Sequence, residues 1–193
     1  MFYRNAYNEV IVTTVLDDGY YSMPLGIRLS DNSLIARVFK GSRLYDALSS
    51  RSTIDASICI TLNPLLFYYA VIKKESLKYN VVDDIPCIKD CDACIGGRLK
   101  VIETINDYIR ALFEPHKISI LNPYPRPYVR GSAALIEALV HYTKIPYIPQ
   151  DAAERLFHFI EAALYAVERS TNDPTIRNAI REIYERAYKL LFT

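Results

Sequence analysis

The chain is poor in everything that would mark it for nucleic acid, secretion or a membrane. Its 193 residues carry 23 basic and 22 acidic side chains, a net charge of +1, so no broad cationic face is expected for nucleic acid or an anionic bilayer. An anionic ligand would have to be held by a local cluster. Residues Met1 to Val10 contain Arg4 and Glu9 and no apolar signal core, so no secretion is expected, and the cytoplasm is the expected compartment. The longest uncharged stretch, Ala56 to Ile72, is broken by Asn63-Pro64 into a strand-like and a helix-like half and needs no bilayer. There is no internal repeat, no nicotinamide-binding glycine fingerprint and no Ser/His/Asp pattern, and His116, His141 and His158 are scattered. Glutamine is nearly absent (Gln150 alone) while tyrosine is abundant at 16, a composition that leans towards a hot-growing source.

What is present is a chain that changes period part-way along. Hydrophobic residues make up 51%, enough for a substantial core. Glu9 to Val15 is rich in β-branched residues and runs into Asp17-Asp18-Gly19, a hairpin signal, with Tyr20 to Ile27 as the return strand. Pro24 in that strand predicts an edge or a bulge. Ser30 to Ser33 makes a turn, Leu34 to Phe39 a third strand, and Leu44, Tyr45 and Leu48 follow at helical spacing to about Ser50. Ile54 to Leu62 alternates as a strand, and Asn63-Pro64 caps and opens a short apolar helix through Ile72. Strands are expected near Leu77–Val82, Ala93–Thr104 and Ile118–Leu121. Asn122 to Pro127 is too rich in proline for regular structure.

Beyond it the period becomes 3.6. Ser132 is placed to cap a helix through Lys144. Asp151 with Glu154 resembles a capping box for a second helix, with a stripe from Ala153 to Val167. Asp173-Pro174 opens a third, carrying Ile176, Ile180, Ile183, Ala187 and Leu190 inward. The expected organisation is a β-rich domain over 1–121, a linker over 122–130 and a helical region over 131–193, packed on the barrel or on a dimer partner.

One segment carries chemistry. Arg37 to Tyr45 delivers a strand into a glycine turn and at once into a helix, whose first N–H groups are unpaired and favour an anion. Ser42 can donate a hydroxyl, and Lys40 and Arg43 supply charge, which together suit a phosphate monoester. The plainer reading is that Ser42 only caps the helix. Cys87, Cys91 and Cys94 have the C-x3-C-x2-C spacing of an iron–sulfur motif, but the chain lacks the α/β barrel that surrounds that motif. Buried thiols or a disulfide are the expectation, with no metal. Glu137 and His141 share a helix face one turn apart, without implying a mechanism.

Several segments, in order, resemble the largely archaeal family catalogued as domain of unknown function 447. They are Glu9 to Thr14, Met23-Pro24-Leu25-Gly26-Ile27, Val38 to Tyr45, Asn63-Pro64-Leu65-Leu66-Phe67, and Arg130 with Ala134 to Ala138 and Thr143-Lys144. That family is similar to the flavin-reductase-like FMN-binding split barrels. The resemblance implies an α+β, mainly β, fold: a six-stranded Greek-key split barrel with a C-terminal helical region, a homodimer with FMN in a groove at the subunit interface. It implies that Thr13, Thr14, Met23, Pro24, Leu25 and Gly26 line the ring and ribityl chain. Lys40, Ser42, Arg43 and Tyr45 would hold the phosphate, with Arg130 a further contact. The implied function is a flavin-dependent oxidoreductase of unknown substrate and unknown catalytic residues, to which a nicotinamide donor would dock only transiently. The alternative is a non-redox enzyme or carrier that holds another phosphorylated or pterin-like heterocycle in the same groove. The chain departs from the family at Ser22 and at Cys94 or Ile95, which bears on how a ring would fit.

Overall fold

A computed structural model describes residue 2 and residues 7–82, 84–122, 130–171 and 173–193; the side chains of Tyr7, Arg130 and Ser170 are outside that description. Eight strands and five α-helices follow in the order β1 (Tyr7–Leu16), β2 (Gly19–Ser30), β3 (Ser33–Phe39), α1 (Arg43–Arg51), β4 (Thr53–Ile60), α2 (Pro64–Val71), β5 (Tyr79–Val82), β6 (Ile85–Ile88), β7 (Ala93–Ile105), β8 (Tyr108–Ile120), α3 (Arg130–Tyr142), α4 (Gln150–Ser170) and α5 (Pro174–Phe192). They form two compact units. One holds 1–61 and 73–124, the other 62–72 and 125–193.

In the first unit, six strands close an antiparallel barrel in the order β1-β2-β3-β8-β7-β4, with β4 returning to β1. The period-2 alternation of β1 sends Val10 and Val12 inward to meet Leu25, Ile27, Leu99 and Phe113. Leu44 and Leu48 of α1 belong to the same core, so this helix is part of the barrel's packing. The β5–β6 hairpin is fastened to the barrel by polar contacts. The Ser22 hydroxyl bridges Thr13 at 2.8 Å and Tyr79 at 2.9 Å, and the Ser57 hydroxyl donates to the Pro86 carbonyl. A disulfide joins Cys87 of β6 to Cys94 of β7, while Cys59 and Cys91 are buried thiols.

The ladders are unequal in length. β1 and β2 register along their whole shared length, from Tyr7↔Arg28 to Leu16↔Gly19. β2 and β3 register only from Ile27↔Ala36 to Ser30↔Ser33, and β3 then continues along β8 from Leu34↔Phe113 to Phe39↔Tyr108. Residues Gly19 to Gly26 therefore have β1 on one edge and, among the described residues, no strand on the other. Pro24, which has no N–H to give a ladder, stands in this stretch opposite Ile11. This split follows from β3 leaving β2 for α1.

The second unit is helical. Leu66 and Phe67 of α2, Leu135 and Leu139 of α3, Phe157 and Ile160 of α4 and Ile180 and Ile183 of α5 are buried. Tyr68 donates to the carboxylate of Glu182, which also pairs with Arg186. None of the described helices is long and apolar enough to cross a membrane.

Several expectations need correction. The last barrel strand is far longer than Ile118–Leu121: its first half sends Ile109, Ala111 and Phe113 inward, and the exposed Pro115 to Ile118 then interrupt that alternation. β5 starts later, at Tyr79, and pairs with β6, which Pro86 and Cys87 masked. α3 begins at Arg130, so Ser132 lies inside the helix and does not cap it. α4 begins at Gln150 with Pro149 before it and no capping side chain; Asp151 pairs with Arg155 and Gln150 reaches Glu154, so there is no capping box. Leu190 is 53% exposed and lies off the buried stripe of α5. Of the proline-rich linker, residues 123–129 lie outside the described residues.

Candidate functional site

The turn between β3 and α1 is built as its sequence suggests. Gly41 has φ +85°, a left-handed conformation that glycine adopts without the clash a side chain brings. Ser42 is the N-cap of α1. Its Oγ accepts from the Tyr45 N–H at 3.1 Å and donates to the Phe39 carbonyl at 3.0 Å. The hydroxyl is engaged in the cap, so what this turn offers an anion is the remaining N–H groups of the first turn. Lys40 is exposed and its backbone N–H bonds Asp107; Tyr45 is half-buried against the barrel core.

Arg43 stands between two environments. One guanidinium nitrogen donates to Asp18, in a shallow concavity of about 300 Å3 that also contains Asp17, Asp46 and Arg51. The hydrogen bond from Arg43 holds the Asp18 carboxyl below its usual range. The guanidinium also lies 5.1 Å from the centre of the Tyr21 ring. The Lys74 ammonium reaches the same ring at 4.6 Å, from a short 3-10 helix over Lys74–Ser76. Two cations thus converge on one aromatic ring. Desolvation pushes the Lys74 pKa down, and the positive charge of Arg43 pushes it further the same way. Among the described residues no carboxylate pairs with Lys74, so an anion placed there would relieve both costs. The Tyr21 hydroxyl, whose pKa is raised by burial, donates to the Met23 sulfur at 3.8 Å. The cationic pair therefore lies at the foot of the open stretch of β2.

The residues named from the ring-binding expectation are distributed by strand alternation. Met23 and Leu25 pack on the barrel core, while Pro24 and Gly26 alternate to the other face of β2. Thr13 is fully buried and bonded to Ser22. Thr14, on the opposite face of β1 to Thr13, donates to the Asp55 carbonyl at 2.8 Å. It also lines a separate groove of about 480 Å3 with Asp55, Ile85, Pro86, Gly96, Gly97 and His116. What the Met23–Gly26 stretch presents towards the split is thus largely backbone. Every second residue of a strand turns both its N–H and C=O to the same edge, and on the split side no ladder takes them up. Arg130 is the first residue of α3, and its side chain lies outside the described residues. Lys74 and Tyr21 were not singled out by the sequence: Lys73-Lys74 reads only as a polar stop after an apolar helix.

A family model described as the N-terminal domain of the protein of unknown function DUF447 matches residues 8–122. The chain belongs to the DUF447 family. An uncharacterised relative, MJ1453 of Methanocaldococcus jannaschii, is 27% identical over 148 residues, 72% of this chain and 74% of the relative. The crystal structure of the FMN-bound protein MM1853 from Methanosarcina mazei, described as DUF447, superposes with a TM-score of 0.74 at 21% identity. That match covers 95% of this chain and 96% of that one. The flavin reductase HpaC complexed with NADP+ is similar at a TM-score of 0.51 and 20% identity, over 64% of this chain and 85% of that one. These likenesses carry the fold: the DUF447 chain has a split barrel of flavin-reductase type, extended by helices.

Proposed function

We propose that this DUF447 protein binds FMN along the open edge of β2 and works as a flavin-dependent oxidoreductase. The observation that carries the reading is the conjunction of two features. Among the described residues, the strand edge at Gly19–Gly26 is unpaired and lies next to a turn where α1 begins and Arg43 and Lys74 converge with no carboxylate on Lys74. A planar heterocycle with donors and acceptors along one side is a natural partner for an unpaired strand edge, and a phosphate for the cationic turn. The FMN bound to the related Methanosarcina protein supports the same assignment.

On this reading, backbone groups of Met23 to Gly26 bond the ring edge. Thr13 and Leu25 act through main chain and packing, since the Thr13 hydroxyl is already bonded and Leu25 is in the core. Thr14 joins only if the ring reaches the neighbouring groove. The first-turn amides of α1 with Lys40, Arg43 and Lys74 hold the phosphate, and Ser42 and Tyr45 shape that turn. The flavin supplies the hydride or electron chemistry, while these residues bind it, orient it and set its electrostatic surroundings. The ligand domain is 1–121 apart from 62–72, which packs with the helices, and it is joined through 122–130 to the helices of 131–193. The protein acts in the cytoplasm as a homodimer, because a groove with one open edge is completed by a second copy.

Purification under native conditions, followed by an absorption spectrum and mass spectrometry of the released small molecule, tests this directly. A yellow protein that releases FMN is the expected result. A colourless protein that fails to bind FMN on titration refutes it, and release of a non-flavin phosphorylated heterocycle would make it a carrier or non-redox enzyme. Light scattering at micromolar concentration should return a dimer, and a monomer would overturn that part.

A further inference from the structure

All 4 cysteines of the chain meet in one buried cluster where β4, β6 and β7 come together. Cys94, already bonded to Cys87, is the direct cross-strand partner of Cys59 in the β4–β7 ladder. Directly opposed residues of an antiparallel pair project to the same face, so the Cys59 sulfur lies beside the disulfide. Its other neighbour is Cys91, in the turn between β6 and β7, whose thiol shares a hydrogen bond with that of Cys59. Each of the four is only 2% exposed. The backbones on either side of the thiol pair are already held together, since the Asp92 N–H donates to the Ile60 carbonyl at 2.9 Å.

We propose that Cys59 and Cys91 are a redox-active dithiol that reduces hydrogen peroxide and closes to a second disulfide beside the existing one. Nothing in this step depends on the flavin reading. The Cys59 thiol donates its proton towards the Cys91 sulfur, which pulls the Cys91 thiol down and pushes the Cys59 thiol up. The hydrogen bond favours the ionised form of Cys91 over that of Cys59, and Cys91 is assigned as the attacking sulfur. Its sulfur takes one peroxide oxygen, the O–O bond breaks, and the departing hydroxide picks up the proton that Cys91 lost, leaving as water. The sulfenic acid so formed on Cys91 is then attacked by the Cys59 sulfur. The S–O bond breaks, the S–S bond forms, and the hydroxyl leaves with the Cys59 proton as a second water. In sum, two thiols are oxidised by two electrons and one peroxide is reduced to two waters. Peroxide suits a buried pair because it is little larger than water.

The position gives the new bond something to act on. Asp92, next to Cys91, accepts through its carbonyl from the Leu121 and Asn122 N–H groups, both at 2.9 Å, and through its carboxylate from the Asn122 amide at 3.2 Å. Linking Cys91 to β4 fixes the turn that ties down the end of β8, at the point where the chain leaves the barrel.

The test is a disulfide map of the full chain before and after treatment with hydrogen peroxide. Free thiols are alkylated in denaturant at low pH, and cleavage before Asp92 separates Cys91 from Cys94. The untreated protein should give alkylated Cys59 and Cys91 and a Cys87–Cys94-linked peptide. After peroxide, both alkylated forms should disappear together, and a Cys59–Cys91-linked peptide should appear with the first linkage unchanged. In the Cys59→Ser variant, Cys91 should stop at a sulfenic acid that dimedone traps, while in Cys91→Ser, Cys59 should stay reduced over the same time. The proposal is overturned if both thiols persist at peroxide levels that oxidise an unfolded cysteine peptide. It is equally overturned by sulfinic acid in place of the linkage, by linkage of either thiol to Cys87 or Cys94, or by equal oxidation of Cys59 in Cys91→Ser. Should either variant fail to fold, the map of the unmodified protein decides alone.

Discussion

If the phosphate of FMN sits at the cationic turn, the decisive perturbation is Lys74→Met. Methionine keeps an unbranched stem against the Tyr21 ring and removes only the charge. A charge-assisted hydrogen bond contributes about 1.5–3 kcal/mol. Lys74 is only partly buried, which calls for the lower end after screening, about 1–1.5 kcal/mol, or roughly 5–12-fold in Kd. Riboflavin, which lacks the phosphate, provides the control. Fluorescence titration should show FMN weakened by that factor in Lys74→Met and riboflavin unchanged, with Lys74→Arg retaining most of the difference. High salt should shrink the FMN preference in the unmodified protein and have little left to shrink in the variant. Because Lys74 holds its proton less tightly than an ordinary lysine with pKa 10.5, the preference should fade as pH rises towards that value. Equal weakening of both flavins, or none of either, would refute the placement of the phosphate beside Lys74.

The same residue makes a stability prediction. Between its depressed folded pKa and 10.5 the unfolded chain binds more protons, so ligand-free stability should rise with pH across that window, and Lys74→Met should flatten the rise in denaturant titrations. Opposite the bulge that His116 makes in β8, Gly97→Ala should be severe. The added methyl would collide with the Glu114 carbonyl oxygen and stand 2.8 Å from the Phe113 ring, backbone and core that cannot both yield, at a cost of about 1–3 kcal/mol or more. Gly96→Ala meets only the Ile85 side chain, so combining it with Ile85→Ala should restore most of its loss; if Gly97→Ala proved the milder of the two by thermal unfolding, this account of the bulge would fail. Asp173 caps α5 by accepting from Thr175 and Ile176 N–H groups at 2.8 and 3.3 Å. Asp173→Ala should cost about 1 kcal/mol, visible as a Tm lower by about 2–4 °C, with Asp173→Asn close to neutral.

Where a single residue's chemistry decides the local structure, the sequence was readable. Asp17-Asp18-Gly19, Asn63-Pro64 and Asp173-Pro174 each place a turn or helix start where it occurs. The glycine turn into α1 is equally plain. Readability ended where tertiary context overrides local pattern. The first half of β8 does alternate, with Ile109, Ala111 and Phe113 buried, but the exposed Pro115 to Ile118 breaks the pattern, and only the ladder to β7 carries the strand through it. Ser132 is a good cap by type, yet the helix is already under way two residues earlier. The candidate site divides along the same line. Arg43 and the α1 turn could be found from sequence neighbours, whereas Lys74 reaches Tyr21 only through the fold. The open edge of β2 was signalled in part by Pro24, whose missing N–H predicted an edge position; how far the edge runs is a property of register, set where β3 leaves β2 after Ala36.

That unpaired edge also governs how the protein behaves when its groove is empty. Among the described residues no strand takes up its N–H and C=O groups, and such a row is a template for any passing extended chain, including another molecule of the same protein. Proline at position 24 interrupts the template but does not remove it. A ligand that occupies the edge therefore protects as well as equips the barrel. Cells that cannot supply enough of it should yield a protein prone to self-association, and adding it back should disperse the assemblies that have not yet gone on to aggregate.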